Sequence, residues 1–227
     1  MEEITLIIPA KNEPNALPIV LNEIKKMQLS VKILVVIREE DKDTFKATND
    51  YDCDVLFQSK KGYGNAIVEG INHVKTKYSC IFYADGSTDP KYINLMKEKL
   101  VNEKLDLIFG SRYEKSAHSY DDDLITRIGN FGFTLLGNIF MRLKISDLLF
   151  TYIFAKTDCL KNMKLNSNDY CLCVEIPFQA KLSKLKYTTL PCVERKRFAD
   201  KKKVKAFTDG LKILIYFFTQ YLKSINR

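Results

Sequence analysis

Asp85, Ser87 and Asp89 alternate along Tyr83-Ala84-Asp85-Gly86-Ser87-Thr88-Asp89-Pro90, and in an extended chain alternate side chains share one face. Oxygen ligands on one face suit Mg2+ or Mn2+, which takes one or two protein carboxylates and fills its octahedron with phosphate oxygens and water. The same stretch also reads as an ordinary Asp-Gly turn leading to a helix at Pro90. In Lys61-Gly62-Tyr63-Gly64-Asn65-Ala66, glycines between a strand and a helix let backbone amides approach a phosphate. Ile67 stands at the third glycine position of the dinucleotide fingerprint, and a plain turn fits as well. Residues 195–205 (RKRFADKKKVK) carry seven basic groups and one acidic, a net +6 of the chain's +8. Such a block attracts an anion: nucleic acid, an acidic lipid headgroup or a phosphorylated substrate. As a plain solvated loop it needs no partner.

The rest of the composition narrows the classes. A chain of 227 residues is expected to form one large domain. Its 46% apolar and 28% charged residues exclude disordered, collagen-like and multi-span membrane classes. The six cysteines include no Cys-x-x-Cys pair, and His73 and His118 are the only histidines, so no zinc site is expected. Met1-Glu2-Glu3 leads directly into an apolar run without the features of a secretion signal, which predicts a cytosolic protein with reduced thiols.

Apolar runs of strand length recur at Ile4–Ile8, Ile33–Ile37, Val55–Phe57, Cys80–Tyr83 and Leu105–Phe109. They do not alternate, as befits strands covered on both faces, and Ala16–Leu29, Asn65–Lys77 and Tyr92–Leu100 between them have helical spacing. This β-α-β series predicts an α/β fold with a mainly parallel sheet and a ligand crevice beyond the carboxyl ends of its strands. In the second half, Leu124, Ile128, Phe131, Leu135 and Ile139 form one helical stripe, widened by Phe133, Leu136 and Phe140, with no charge between Arg127 and Arg142. That stretch and Leu211–Phe218 fall short of the roughly 20 apolar residues that cross a bilayer. The plainer expectation for both is a buried core helix; the alternative is a helix lying in a membrane interface.

Taken in order, Ile8-Pro9-Ala10-Lys11-Asn12-Glu13, Gly62-Tyr63-Gly64-Asn65-Ala66, Ala84-Asp85-Gly86-Ser87 with Asp89-Pro90, Gly110-Ser111-Arg112-Tyr113 and Arg195-x-Arg197 form a familiar set. From residue 4 to about 212 the sequence resembles family 2 glycosyltransferases, in the branch similar to dolichol-phosphate mannosyltransferase and polyprenyl-phosphate sugar transferases. The resemblance implies a GT-A fold, a Rossmann-like three-layer sandwich, within a single domain. Residues 1–113 would form its nucleotide-sugar half, 114–205 its acceptor half and 206–227 a C-terminal amphipathic helix. It implies that Pro9, Ala10, Asn12, Glu13, Glu39, Lys61, Gly62, Gly64 and Ala84 line the nucleotide-sugar pocket, and that Asp85 with Ser87 holds Mg2+ or Mn2+. Arg112, Arg127, Arg197 and Lys203 would face phosphates, Asp147 would sit near the sugar, and Glu175 would serve the acceptor side.

The sequence departs from the family pattern at three places. Tyr83 replaces the first carboxylate of Asp-x-Asp, Thr151 stands where a glycine is expected after Asp147, and Arg38-Glu39-Glu40-Asp41-Lys42-Asp43 does not register with the usual Asp-Asp-Gly-Ser run.

Sugar transfer from a nucleotide diphosphate leaves negative charge on the departing diphosphate, and Asp85 with a divalent ion and fixed arginines would neutralise it. A hydroxyl acceptor also needs a general base, for which Asp147 is the candidate by resemblance, whereas a phosphate monoester is mostly dianionic at neutral pH and needs cations instead. Arg195, Arg197 and Lys201 to Lys203 ahead of an apolar helix point to a lipid-phosphate acceptor. The expectation is an inverting hexosyltransferase at the cytoplasmic membrane face, catalytic through Asp85, Asp147 and Arg112, and not a nucleic-acid-binding protein. The alternatives are transfer to a soluble glycan hydroxyl and a degenerate nucleotide-sugar binder.

Overall fold

The computed structural model describes residues 3–199 and 203–225; Lys201 and Lys202 of the basic block lie outside them. A seven-stranded sheet runs in the order β3-β2-β1-β4-β7-β5-β8. It comprises β1 (Ile4–Pro9), β2 (Val31–Ile37), β3 (Asp54–Phe57), β4 (Tyr78–Ile81), β5 (Leu107–Ser111), β7 (Ile153–Lys156) and β8 (Tyr187–Pro191). All neighbours are parallel except β7, which runs antiparallel between β4 and β5. Strands from both halves of the chain therefore share one sheet. The two-residue strands β6 (His118–Ser119) and β9 (Val193–Glu194) pair beside it.

The non-alternating apolar runs have the expected cause. In β1, Ile7 faces one core with Val36, Ile67 and Phe217, while Leu6 and Ile8 face another with Val35, Leu17 and Ile93. Helices α1 (Ala16–Lys26) and α4 (Tyr92–Asn102) cover the second face; α3 (Tyr63–His73) and α7 (Leu172–Leu182) cover the first. Short helices α2 (Lys42–Lys46) and α6 (Thr157–Lys161) complete the turns after β2 and β7. The result is the expected helix-sheet-helix sandwich.

The expectation that the apolar stripe of the second half is buried is overturned. In α5 (Leu124–Phe140) the inward residues are Asn130, Thr134 and Gly137, while Leu124 (73% exposed), Ile128 (63%), Phe131 (66%) and Ile139 (60%) face out. The polar face is inward because it docks the loop that follows. Thr134 Oγ1 accepts from Leu148 N at 3.0 Å, and the Asn138 amide exchanges bonds of 2.7 and 3.1 Å with the backbone of Ile145. Phe133 and Leu136 are half-buried against the core. Helix α8 (Ala206–Ile225) buries Ile213 and Phe217 but exposes Phe207, Leu211, Ile215 and Leu222. The two helices meet through Phe140, whose ring lies 5.1 Å from Tyr221 and 5.9 Å from Phe218. Among the described residues no helix is long and apolar enough to cross a membrane.

Candidate active site

Asp85 lies beyond the end of β4, where a parallel sheet opens its crevice. Gly86 turns the chain with φ +84°, a conformation that suits glycine. The turn is closed by Asp85 Oδ1, which accepts from Ser87 N at 3.0 Å and Ser87 Oγ at 2.7 Å. Its other oxygen, Oδ2, faces Arg197 at 3.4 Å, and the same guanidinium donates to Asp121 Oδ2 at 2.8 Å. Two carboxylates from separate loops thus share one positive charge. Asp89, the third residue of the alternation, instead accepts from Lys91 N and pairs with Lys91 Nζ at 3.1 Å.

The loop after β1 forms the next wall. Ala10 is buried, and its N–H completes the β1–β2 ladder on Val36 O at 2.9 Å. Pro9 ends the strand, and Asn12 takes a left-handed conformation, φ 51°. Asn12 N donates to Asp41 Oδ2 at 2.6 Å and Glu13 N to Thr44 Oγ1 at 3.0 Å, which stitches this loop to the start of α2. Lys203 Nζ bonds Asn12 O and the Glu13 carboxylate from above. Beside this loop, Arg38, Glu39, Glu40, Gln58, Lys60 and Lys61 line an open groove of about 460 Å³ at the ends of β2 and β3. Pro9, Ala10, Asn12, Glu13, Ala84, Asp85, Arg197 and Lys203 therefore gather at one rim, with Glu39 and Lys61 in the adjoining groove.

Four expectations change. The Gly62-x-Gly64 turn is not an open phosphate cradle: Gly64 N donates to Asn168 O at 3.1 Å. A Cβ on Gly62 or Gly64 would overlap the backbone of Asn168 or Ser167, so these glycines admit a neighbouring loop. Glu175 holds that same loop from beneath. Buried on α7, it accepts from Asn166 N at 3.0 Å and Ser167 N at 2.8 Å, and it does not stand on an acceptor surface. Arg112 and Asp147, expected to meet phosphate and sugar, are buried against each other in a two-point bond of 2.7 and 3.0 Å. Arg112 also reaches Glu194 at 3.3 Å and Asp122 at 3.4 Å. A guanidinium shared among three carboxylates is a closed structural unit, so neither is available as a free phosphate clamp or base. Arg127 remains exposed on the first turns of α5 and forms no ion pair among the described residues.

The two departures at Tyr83 and Thr151 prove to be one contact. Tyr83 OH accepts from Thr151 N and lies within hydrogen-bond distance of Thr151 Oγ1, both at 2.9 Å. Tyr63 OH meets the same hydroxyl at 2.6 Å, and its ring stacks on Tyr170 and not toward the groove. Burial pushes the phenols of Tyr63 and Tyr83 up, so both stay neutral.

Glu194 and Glu23 escaped the sequence reading, whereas Asp121-Asp122-Asp123, which reads in sequence as a solvated loop and helix start, fits that reading only in part. Asp123 does cap α5, accepting from Thr126 N at 2.7 Å, but Asp121 and Asp122 point inward. Glu194 carried a signal in its position directly before Arg195-x-Arg197; Glu23, inside α1, carried none. Burial pushes the Glu194 carboxyl up, and Arg112 and the Ser119 hydroxyl offset this only in part. The folded state thus keeps its proton to higher pH than the unfolded chain, so ionising Glu194 erodes stability as pH rises above the ordinary value of 4.5. Glu194→Gln is accordingly expected to raise the melting temperature at about pH 8, with the gain vanishing by about pH 4. A difference independent of pH contradicts this.

The fold and rim define a GT-A type glycosyltransferase architecture. Glucosyl-3-phosphoglycerate synthase of Mycobacterium tuberculosis, solved with Mn2+, UDP and phosphoglyceric acid, superposes with a TM-score of 0.77 at 13% identity, over 96% of this chain and 78% of that one. Mannosyl-3-phosphoglycerate synthase of Rubrobacter xylanophilus gives 0.69 at 12%, over 99% and 75%. In sequence, an uncharacterized protein of Methanocaldococcus jannaschii is 29% identical over 68% of this chain and 67% of its own length. The dolichyl-phosphate beta-glucosyltransferase of Dictyostelium discoideum is 26% identical over 71% of this chain, which spans half of that relative's length. The sequence profile of Glycosyl transferase family 2 matches residues 5–164. The chain belongs to that family and is a glycosyltransferase.

Proposed function

We propose that the protein transfers a hexosyl group from a nucleotide-diphosphate sugar to a polyprenyl or dolichyl phosphate at the cytoplasmic face of a membrane, with inversion at the anomeric carbon. The observation that carries this reading is the pair of apolar faces turned outward on α5 and α8. A helix with Leu, Ile and Phe outward and Asn and Thr inward is suited to lie in a lipid interface. Placed there, it would bring the rim to the depth of a lipid headgroup.

The site chemistry agrees with a phosphate acceptor. Asp147, the candidate base, is buried against Arg112, and a phosphate dianion needs no base. In the proposed reaction an acceptor phosphate oxygen attacks the anomeric carbon, and the bond to the nucleoside diphosphate breaks with its electron pair going to the diphosphate. Arg127, Arg197 and Lys203 would attract the two phosphate groups, and Asn12 and Glu13 with the Glu39–Lys61 groove would receive the nucleoside end.

A divalent ion fits the rim. Arg197 already stands as a cation between Asp85 and Asp121. Among the described residues no group of three or more His, Cys, Asp or Glu could hold a metal ion, so substrate oxygens and water would have to complete its coordination. Asp85, with Ser87 and Asp121 near, would hold Mg2+ or Mn2+. Bound there, the ion would neutralise charge on the leaving diphosphate.

The test supplies the purified protein with nucleotide sugars and Mn2+, offering polyprenyl phosphate in vesicles or phosphoglycerate and free glycans in solution. The expected result is label in the organic phase only; transfer to a soluble hydroxyl alone rejects the acceptor, and donor binding without any transfer indicates a degenerate binder. Arg197→Ala is expected to raise the half-saturating concentration of lipid phosphate by about tenfold or more, beyond any change for donor. An unchanged acceptor dependence counts against its role.

A further inference from the structure

The sequence assigned Arg195 to the anion-attracting block, but its side chain turns away from the rim. It grips Glu23 of α1 with both terminal nitrogens at 2.5 and 2.9 Å, and donates to Gly86 O at 3.2 Å and Thr88 O at 2.6 Å. The backbone supports the same contact. Arg195 N donates to Ser87 O and Phe198 N to Asp85 O, each at 2.8 Å. The Phe198 ring covers Gly86, where a Cβ would overlap it, and the Arg195 guanidinium packs on that ring at 4.9 Å. Residues 195–198 are thus a strap laid along residues 85–88, and Arg195 fixes the strap to α1.

We infer that Arg195 is a positioning residue for the metal-binding turn: held by Glu23, it fixes the carbonyls of Gly86 and Thr88 so that Asp85 presents its carboxylate to the cation. This rests on the reading of Asp85 as the metal ligand. The turn needs such support because Asp89 is paired with Lys91, which leaves Asp85 as the turn's carboxylate that faces the cation position. Small rotations of that loop would therefore displace the carboxylate that Asp85 contributes to the ion. Burial opposes charge on Arg195, but the Glu23 carboxylate together with Asp89 and Tyr152 outweighs it, so the arginine stays cationic.

The test measures Mn2+ binding to the full chain by electron paramagnetic resonance, with and without UDP, in the unaltered protein and in Arg195→Gln, Glu23→Gln and the double variant. Loss of an outer support of a metal ligand is expected to weaken Mn2+ uptake in the presence of UDP by about 10-fold or more. The double variant should be no worse than either single one, since both remove the same contact. The Mn2+ concentration for half-maximal turnover should rise while the rate at saturating Mn2+ is largely kept. Glu23→Gln leaves the arginine in place and serves where Arg195→Gln fails to fold. Normal uptake by the unaltered protein with unchanged uptake in folded variants, even with a lower melting temperature, overturns the positioning role and makes Arg195 a structural staple. No uptake by the unaltered protein overturns the metal reading of Asp85 and this assignment with it.

Discussion

Asp85→Asn is expected to reduce turnover by about a thousandfold or more while leaving the fold intact, because it removes the carboxylate proposed to anchor leaving-group stabilisation. The substitution keeps the shape of the turn, since an Asn oxygen can still accept from Ser87 N and Ser87 Oγ. It also leaves Arg197 with Asp121 as a partner. The melting temperature should therefore change little, and steady-state kinetics at saturating nucleotide sugar, varied over Mn2+, measures the effect. Turnover within a few-fold of the unaltered protein at every Mn2+ concentration would remove Asp85 from the mechanism.

The second large effect belongs to the outward apolar faces. Ile128 and Ile215 are 63% and 60% exposed, on α5 and α8 respectively. Replacing both with Glu removes little core packing. If each side chain inserts into lipid, each supplies about 1.5–3 kcal/mol of burial, so the double variant should lose membrane affinity by at least about a hundredfold. Co-sedimentation with vesicles reads the loss directly, and circular dichroism checks the fold. Transfer to vesicle-borne acceptor should fall in parallel, while UDP binding in Mn2+ is kept. Equal sedimentation of variant and unaltered protein would show that these faces do not meet lipid.

The buried sheet was legible because strands covered on both faces need continuous apolar runs, and β1, β2, β4 and β5 have them. Strands β7 and β8 lie outside the runs read from the sequence, and the antiparallel direction of β7 is set by its neighbours β4 and β5. The placing of residues directly after parallel strands, such as Asn12 and Asp85, at the end of the sheet follows from the same strand pattern. Residue type alone did not reveal which charges satisfy each other. Arg112 and Asp147 lie 35 positions apart and Arg195 and Glu23 172, so their mutual contacts emerge only from the fold. Periodicity similarly located the stripe on α5 without revealing which side of the helix meets the core. Asn130, Thr134 and Asn138 decide that, because their partners lie in neighbouring loops. Glycines Gly62 and Gly64 mislead for the same reason: close approach was correctly implied, but the approaching group is protein backbone.

The central claim is that the acidic and basic groups at the end of the sheet hold a nucleoside diphosphate through a divalent ion on Asp85. Calorimetric titration of the unaltered protein with UDP and with GDP, each with Mn2+ and with chelator, tests it most directly. At least one nucleotide should bind with Mn2+, lose most of its affinity in chelator, and bind Asp85→Asn no better with Mn2+ than without. Equal affinity with and without the metal, or a metal effect that survives Asp85→Asn, would contradict the account.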